Sequence, residues 1–384
     1  MRRSSTGVAG LVVLALLAFL PMQPAAARRV EGALASGALR VQATPATVGF
    51  GQSVTLSGTL TDPAGAALPG ERVVAETRTP GGGWVAVSEP ALTDSAGVVA
   101  LTVAPAVSST LRLRHDDPEG VSSALVSVVV RAALTAGWAD PAVRVGSPAH
   151  AGGSLAPAPT GAEVRLERRV QGRWRLVESV PVRPDGSWSA TVRPAAAGFE
   201  HLRAVRRADS GVAGSTERLP PLDVFRLHRY SVTTRGRVTA DVAGFRAAVA
   251  ATYADQRGWA RAHHRFREVG RASGSSGALT VVLAQAATVP GFHPVCSSFY
   301  SCRVGRYVVI NEDRWRRGSP YFPGGLRSYR QMVVNHETGH WLGRGHASCP
   351  GAGRPAPVMQ QQSKGLHGCR ANPWPLDREI RAVS

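Results

Sequence analysis

Lysine, cysteine and long apolar runs are scarce in this chain of 384 residues. No apolar run of about 18 residues or more follows residue 30, which excludes a polytopic membrane protein. Glycine is frequent but has no period of three, which excludes a collagen-like fibre. Hydrophobic residues make up 43% of the chain, which excludes wholesale disorder. The length of 384 residues predicts two to four globular domains.

Acidic residues are also few. The chain has 45 Lys+Arg against 26 Asp+Glu, a formal net charge of +19, and Lys364 is its one lysine. This arginine skew, with abundant alanine and glycine, is typical of a GC-rich genome, so composition alone accounts for the basic charge. No nucleic-acid-binding motif is present, and we therefore expect no nucleic-acid partner.

The N-terminal segment has the pattern of a secretory signal peptide. Arg2 and Arg3 precede an apolar run at residues 8–20, and residues 25–27 are three alanines suited to cleavage. We predict that residues 1–27 are removed and that the mature chain is secreted or associated with the cell envelope. It would then have no stable membrane span. The alternative is an uncleaved N-terminal anchor.

All four cysteines lie in the last 90 residues. An even number of cysteines in an exported protein favours disulfides over free thiols or metal ligands. Three pairings are possible, and sequence proximity favours two short loops. These would be closed by Cys296–Cys302 and Cys349–Cys369.

The first half of the chain contains an internal repeat. Residues 70–78 resemble residues 161–169, and Trp174 follows Trp84 by ninety positions. Each copy has short runs that alternate apolar with polar residues, separated by Gly, Pro and Asp, as in an antiparallel β-sandwich. We predict two all-β sandwich domains, with the bounds 38–131 and 132–224.

The opening of the first copy, residues 43–49 and 51–58, resembles bacterial Ig-like modules of exported surface proteins. The Cys–Trp–Cys core of antibody domains is absent. The resemblance extends over both copies and implies tandem Ig-like domains that serve as a spacer or an adhesive arm.

Residues 225–384 mix predicted strands and helices, which indicates an α+β domain. They hold 23 basic and 8 acidic residues, so +15 of the net charge lies here. Asp241 is a candidate N-cap for a helix that ends near Gly258. A second helix is expected from about Tyr329 through His340. Strands are expected at residues 230–234, 278–284 and 307–310.

The most specific motif is HETGHWLGRGH at residues 336–346, which fits HExxHxxGxxH. His336 and His340 lie one helical turn apart, so both imidazoles can reach one metal ion. Gly343 can take a positive φ and end the helix sharply, which brings His346 back as the third ligand. Glu337 is placed to take a proton from an attacking water. Three histidines leave open coordination positions, as in catalytic zinc sites.

At these residues the sequence resembles the metzincin clan of zinc endopeptidases. The resemblance implies a metzincin-like zinc-peptidase domain over residues 225–384, one Zn²⁺ per chain, and a protein or peptide substrate. It also implies a methionine turn below the metal, for which Met359 is the candidate. Metzincins pair the substrate backbone with an edge strand. Our candidates for that strand are Tyr307, Val308, Val309, Ile310 and Asn311, and the alternative is that they form an ordinary buried strand.

The same region resembles an actinobacterial family of secreted, metzincin-like proteins of unknown function, which supplies no substrate. The stretches that carry this resemblance are residues 233–236, 257–259, 306–315, 335–343, 357–359, 362–364 and 372–375. Ala347, after the third histidine, identifies no metzincin subfamily. Gln361 stands where some metzincins have a tyrosine, so the group that stabilises the oxyanion is unassigned. Its candidates are Tyr300, Tyr321 and His367.

The sequence therefore predicts a secreted zinc-dependent metallopeptidase with two Ig-like domains before it. Two alternatives stay open. One is a non-catalytic cell-envelope adhesin, whose basic zinc-holding domain binds wall polymers. The other is an amidase that acts on cell-wall peptides.

Overall fold

The computed structural model describes residues 37–78, 82–118, 120–209, 211–270 and 279–383. Within these ranges the chain is rich in β-structure, and the helices lie in the C-terminal part. The predicted signal peptide, residues 1–27, lies outside the described residues. None of the helices in the described ranges has the length and apolar character needed to cross a membrane.

The first β-sandwich packs two sheets around one apolar core. Its strands alternate buried and exposed residues, as in Val98–Val103, where every second side chain enters the core. One sheet contains Ala38–Thr44, Val54–Thr61 and Val98–Val103. The other contains Thr47–Gly49, Val126–Arg131, Ser109–His115, Arg72–Arg78, Trp84–Ala86 and Ala91–Leu92.

The second β-sandwich has a separate core around the buried ring of Trp188. The indole Nε1 of Trp188 donates to the carbonyl oxygen of Thr135, so its polar atom is satisfied inside the core. One sheet contains Ala133–Leu134, Ala149–Ala156, Gly137–Trp138 and Ser187–Val192. The other contains Arg173–Pro181, Glu163–Val170, Leu202–Arg206 and Ser215–Arg218.

One long strand, Leu222–Arg235, runs from the second sandwich into the C-terminal part. Its first residues pair with Ala142–Arg144 and Gly198–Glu200, and its later residues pair with His264–Glu268 and Leu279–Ala284. The boundary that the sequence placed between residues 224 and 225 therefore falls inside a continuous strand. No glycine or proline interrupts this strand, so nothing in its sequence marks a linker.

Side chains also join the two parts at this strand. Asp223 bonds the imidazole Nδ1 of His263 over 2.6 Å and forms an ion pair with Arg265. The guanidinium of Arg265 lies 4.0 Å from the centre of the Phe225 ring. The ring of Phe199 meets that of His263 edge to face, with centroids 4.7 Å apart. These contacts join His263 and Arg265 of the C-terminal part to the strand and to the second sandwich.

The C-terminal sheet is mainly parallel, with Leu222–Arg235, Leu279–Ala284 and Tyr307–Asn311 side by side. Cys302–Val304 is added antiparallel at one edge. The α-helices found among the described residues are α1 (Val242–Ala254), α2 (Glu312–Arg317), α3 (Gly325–Trp341) and α4 (Asp377–Arg381). Two 3₁₀ turns cover Trp259–Ala262 and Ala286–Phe292.

The expected helices and strands of this region occur, with different ends. Helix α3 begins at Gly325, four residues before the expected start. Asp241 holds the N-cap position of α1, but its side chain makes no capping hydrogen bond. The strand expected at 278–284 is observed as Leu279–Ala284, and residue 278 lies outside the described ranges. The apolar faces of α1 and α3 pack with this sheet into one core.

A pair of histidines, the half-buried His228 and the buried His264, connects this sheet to the chain end. His264 Nε2 donates to the carbonyl oxygen of Val383 over 2.9 Å, so its Nδ1 is left to accept. His228 Nε2 lies 2.6 Å from that Nδ1 and donates to it. Burial, reinforced by the neighbouring His264, lowers the pKa of His228 to about 4. Burial likewise lowers the pKa of His264.

We expect His228 to make the protein less stable as the pH falls from about 6.5 to about 4. The unfolded side chain takes up a proton in this range and the folded one does not. His228→Phe should therefore reduce the pH dependence of the unfolding free energy by up to about 1.4 kcal/mol per pH unit. Denaturant unfolding between pH 7.5 and pH 4.5 measures this, with the exposed His201→Phe as control. If the unfolding free energy of the two variants depends equally on pH, this role of His228 is wrong.

Candidate metal centre

Helix α3 carries the first two histidines of the motif and ends directly after them. Gly343 has a φ of 87°, which the sequence predicted for a sharp exit from the helix. Its N–H donates to the carbonyl of His340 over 3.1 Å, and the N–H of Arg344 donates to that of Gly339 over 2.9 Å. These two bonds form a Schellman motif, which turns the chain back toward the helix. His346 is thereby brought beside the other two histidines.

Ligand nitrogens of His336, His340 and His346 all lie within 4.8 Å of one another. The Nε2 atoms of His336 and His340 are 3.2 Å apart. Each of these two rings donates Nδ1–H to a backbone carbonyl, that of Val358 over 2.8 Å and that of Arg344 over 2.7 Å. Because a carbonyl only accepts, the lone pair of each ring stays on Nε2. The three histidines can hold a metal ion.

The protonation of these histidines suits metal binding, since a ligand nitrogen must be free of its proton. Burial, with the neighbouring His340 next in importance, lowers the pKa of His336 to about 3. Burial also lowers the pKa of His340 and of His346. All three rings are therefore neutral at physiological pH.

Glu337 is buried at 5% exposure and lines the cleft next to the histidines. Burial raises the pKa of its carboxyl to about 8, and the charge of Arg303 acts in the opposite direction. A carboxyl that exchanges its proton near neutral pH is suited to general acid and base catalysis.

Met359, the candidate for the methionine turn, packs against helix α3 at Gly339, between His336 and His340. Its side chain is 1% exposed and packs with Trp259, Val358 and Ile380. A Cβ atom on Gly339 would lie 2.3 Å from Met359 Sδ and 2.8 Å from Trp259 Cζ2. Because Gly339 has no side chain, Met359 and Trp259 can pack directly against α3 between its two histidines.

Glu379 holds the turn at Met359 through hydrogen bonds to its backbone. This residue was not identified from the sequence. Its two carboxylate oxygens accept the backbone N–H groups of Val358 and Met359 over 3.0 and 2.9 Å. It also accepts the N–H of Leu376 over 2.7 Å, which ties α4 to the turn. Since Val358 supplies the carbonyl that orients His336, Glu379 acts on the cluster through the turn. A lone glutamate in a short terminal helix gave no signal of this role.

The cleft beside the histidines has a volume of about 570 Å³. Residues 300–303 and residues 361–364 both line it. Of the three candidates for stabilising an oxyanion, Tyr300 lines this cleft. Tyr321 and His367 are not among its lining residues.

The candidate substrate strand requires a correction. Tyr307–Asn311 lies between Leu279–Ala284 and Cys302–Val304, so both of its edges are already paired. It is the ordinary buried strand that was the alternative. The last strand of the sheet on the cleft side is Cys302–Val304. Arg303 fastens that edge to α3 by donating Nη2–H to the carbonyl of His340 over 2.7 Å.

Both favoured disulfides are present in the structure, as Cys296–Cys302 and Cys349–Cys369. The first closes the loop that leads into the edge strand, and Cys302 itself lines the cleft. The second encloses the segment that contains Met359.

We expect Gly339→Ala to destabilise the protein by about 1–3 kcal/mol, because the new methyl group overlaps Met359 and Trp259. Helix propensity alone would favour alanine by roughly 1 kcal/mol, so the packing decides the sign. Gly345→Ala in the same motif is the matched control, since its added Cβ meets no atom within 4 Å. Denaturant unfolding measures both variants. A neutral or stabilising Gly339→Ala would show that the close packing is not needed.

Three solved structures of bacterial proteins show weak similarity to the chain. The adhesin InvE of Yersinia pseudotuberculosis is 12% identical, with a TM-score of 0.26, over 49% of this chain and 60% of its own. Invasin, a bacterial integrin-binding protein, is 16% identical, with a TM-score of 0.27, over 47% and 39%. The adhesin FdeC of Escherichia coli is 16% identical, with a TM-score of 0.24, over 50% and 66%.

The chain thus spans between 39% and 66% of these structures, and TM-scores this low establish neither a shared fold nor a shared function. No curated protein matches the chain. A family described as "Protein of unknown function (DUF3152)" matches residues 222–378, which is less than half of the chain.

Proposed function

We propose that the C-terminal region is a zinc-dependent peptidase of the metzincin type, exported by the signal peptide predicted at residues 1–27. The observation that carries this proposal is the arrangement around His336 and His340. Two rings with Nε2 left unprotonated, a third ring beside them and the buried Glu337 share one open cleft.

The donor set fits zinc. Imidazole nitrogen is a preferred ligand of Zn²⁺, and three such donors are usual in catalytic sites. His336, His340 and His346 would hold the ion. When bound, zinc polarises the scissile carbonyl and makes the attacking water more acidic.

Glu337 carries the proton of the reaction in this proposal. It accepts a proton as the water oxygen attacks the carbonyl carbon. It then delivers this proton to the amine nitrogen as the C–N bond breaks. Glu337 lines the same cleft as the three histidines, which supports this role.

The substrate backbone would lie along Cys302–Val304. This strand ends the sheet beside the cleft, and its outer edge can pair with an extended peptide. The reassigned edge strand thus replaces Tyr307–Asn311 in the same role. Protein or peptide chains are therefore the proposed substrates.

The two sandwiches would be Ig-like spacers that hold the catalytic region away from its point of attachment, outside the cell or at its envelope. The absence of a catalytic cluster from the sequence before residue 225 supports a spacer role. An adhesive role remains open for the same domains.

A second candidate function is a non-catalytic adhesin that binds anionic wall polymers. The observation that favours it is the charge of +15 in residues 225–384. Binding through this charge should weaken with rising salt and persist after zinc is removed. Polymer pull-down at two salt concentrations, with and without chelator, separates this function from peptide hydrolysis.

We expect Glu337→Gln to keep about one zinc per chain and to lose peptide hydrolysis by about 10²–10⁴-fold. The change removes the proton carrier while leaving all three histidines in place. Zinc content and cleavage of casein and of a peptide library should be measured on the same preparations. Glu178→Gln, an exposed exchange in the second sandwich, is the matched control.

If Glu337→Gln cleaves peptides as fast as the wild type, this mechanism is wrong. A wild-type protein that holds zinc and cleaves wall peptides but no proteins would favour the amidase alternative. If the purified wild-type protein contains no zinc, the adhesin function is favoured over the peptidase function.

A further inference from the structure

The cleft beside the histidines has an excess of positive charge. Besides the histidines, its charged lining residues are Arg303, Arg344, Lys364 and Glu337. None of the ion pairs between described residues involves any of the three cations. A negatively charged group of the substrate could therefore be matched here without displacing an existing partner.

The three cations are not equally available. Arg303 donates to the carbonyl of His340 over 2.7 Å, and Arg344 donates to that of Ala382 over 3.5 Å. Lys364 is exposed, and its Nζ lies 5.1 Å from the centre of the Tyr300 ring, which also lines the cleft. Among the described residues, no side-chain hydrogen bond of Lys364 is found. It is the cation best able to receive a ligand.

The backbone that carries Lys364 is held firmly. Neighbouring Ser363 bonds Tyr329 through its hydroxyl over 2.8 Å and accepts from Ser319 at its carbonyl over 2.7 Å. Gln362 is fully buried and donates to the carbonyls of Pro357 and Asn372. The backbone beside Lys364 is thus held by hydrogen bonds, whereas its exposed side chain can change rotamer.

Lys364 also lies close to the reaction centre. It lines the same cleft as His336, Glu337 and His346. It is the single lysine in a chain with 45 Lys+Arg. An ammonium on a four-carbon stem offers a compact charge with rotatable donors, which a planar guanidinium does not.

We propose that Lys364 selects peptides that carry a carboxylate next to the bond that is cleaved. This inference rests on the proposed peptidase function and specifies its substrate class. A carboxylate in the cleft gains a charge-assisted hydrogen bond from the ammonium, whereas a neutral side chain gains none. The carboxylate belongs to an acidic side chain or to the chain terminus.

The test is to map cleavage sites in a proteome-derived peptide library by mass spectrometry. Wild type, Lys364→Met, Lys364→Glu and Lys364→Arg are compared. We expect wild type to prefer an acidic residue at one position flanking the cleaved bond by about tenfold, as one charge-assisted hydrogen bond supplies. Lys364→Arg should keep part of this preference, Lys364→Met should lose it, and Lys364→Glu should prefer basic residues.

The position of the cuts separates the two sources of the carboxylate. An acidic side chain gives internal cleavage sites, and a chain terminus gives sites clustered near one end of each peptide. If Lys364→Met slows all peptides equally and leaves the preference unchanged, the proposal is wrong and the side chain acts on the transition state instead. No acidic preference in an active wild type would also overturn it, while leaving the peptidase function intact.

Binding to the Glu337→Gln protein tests selection without hydrolysis. Two dodecapeptide pools that differ only in Glu or Gln at one central position serve as probes in calorimetry. Tighter binding of the Glu pool, lost in the double variant with Lys364→Met, supports the proposal even if no peptide is cleaved. Equal binding of the two pools contradicts it.

Discussion

The packing of Met359 against the bare backbone of Gly339 is the contact on which the histidine cluster depends. It brings the turn close enough for the carbonyl of Val358 to bond His336. The same turn accepts the N–H of Ala347 at the carbonyl of Met359 over 3.0 Å, directly after His346. One turn therefore positions both the first and the third histidine, while Glu379 holds the turn itself.

The histidine motif could be predicted because its geometry is local. A spacing of four residues on a helix and a glycine after it determine most of the cluster without reference to the remaining fold. The alternation of buried and exposed residues predicted the strands of both sandwiches for the same reason. These features need only the neighbouring sequence.

The missed features depend on contacts between distant parts of the chain. Whether Tyr307–Asn311 is an edge strand depends on where the short Cys302–Val304 pairs, and no periodicity is visible in three residues. The role of Glu379 depends on a turn twenty residues earlier. The continuation of Leu222–Arg235 through the expected boundary depends on partners from both parts of the chain.

The arginine-rich composition also has structural uses that charge counting does not reveal. Arg257 covers the ring of Trp374, with 4.4 Å between the guanidinium carbon and the ring centre. Arg330 covers Trp315 in the same way over 4.8 Å. Some of the arginines therefore cover aromatic rings, and Arg257 does so while it also pairs with Asp255. The unpaired ammonium in the cleft is a different case.

The unbroken strand at Leu222–Arg235 has a mechanical consequence. Hydrogen-bonded strand transmits bending and torsion that a glycine-rich linker would absorb. The second sandwich and the C-terminal sheet share this strand, and Asp223 bonds His263 beside it. A force applied to the second sandwich would therefore reach the C-terminal sheet through the hydrogen bonds of this strand, with no flexible linker between them.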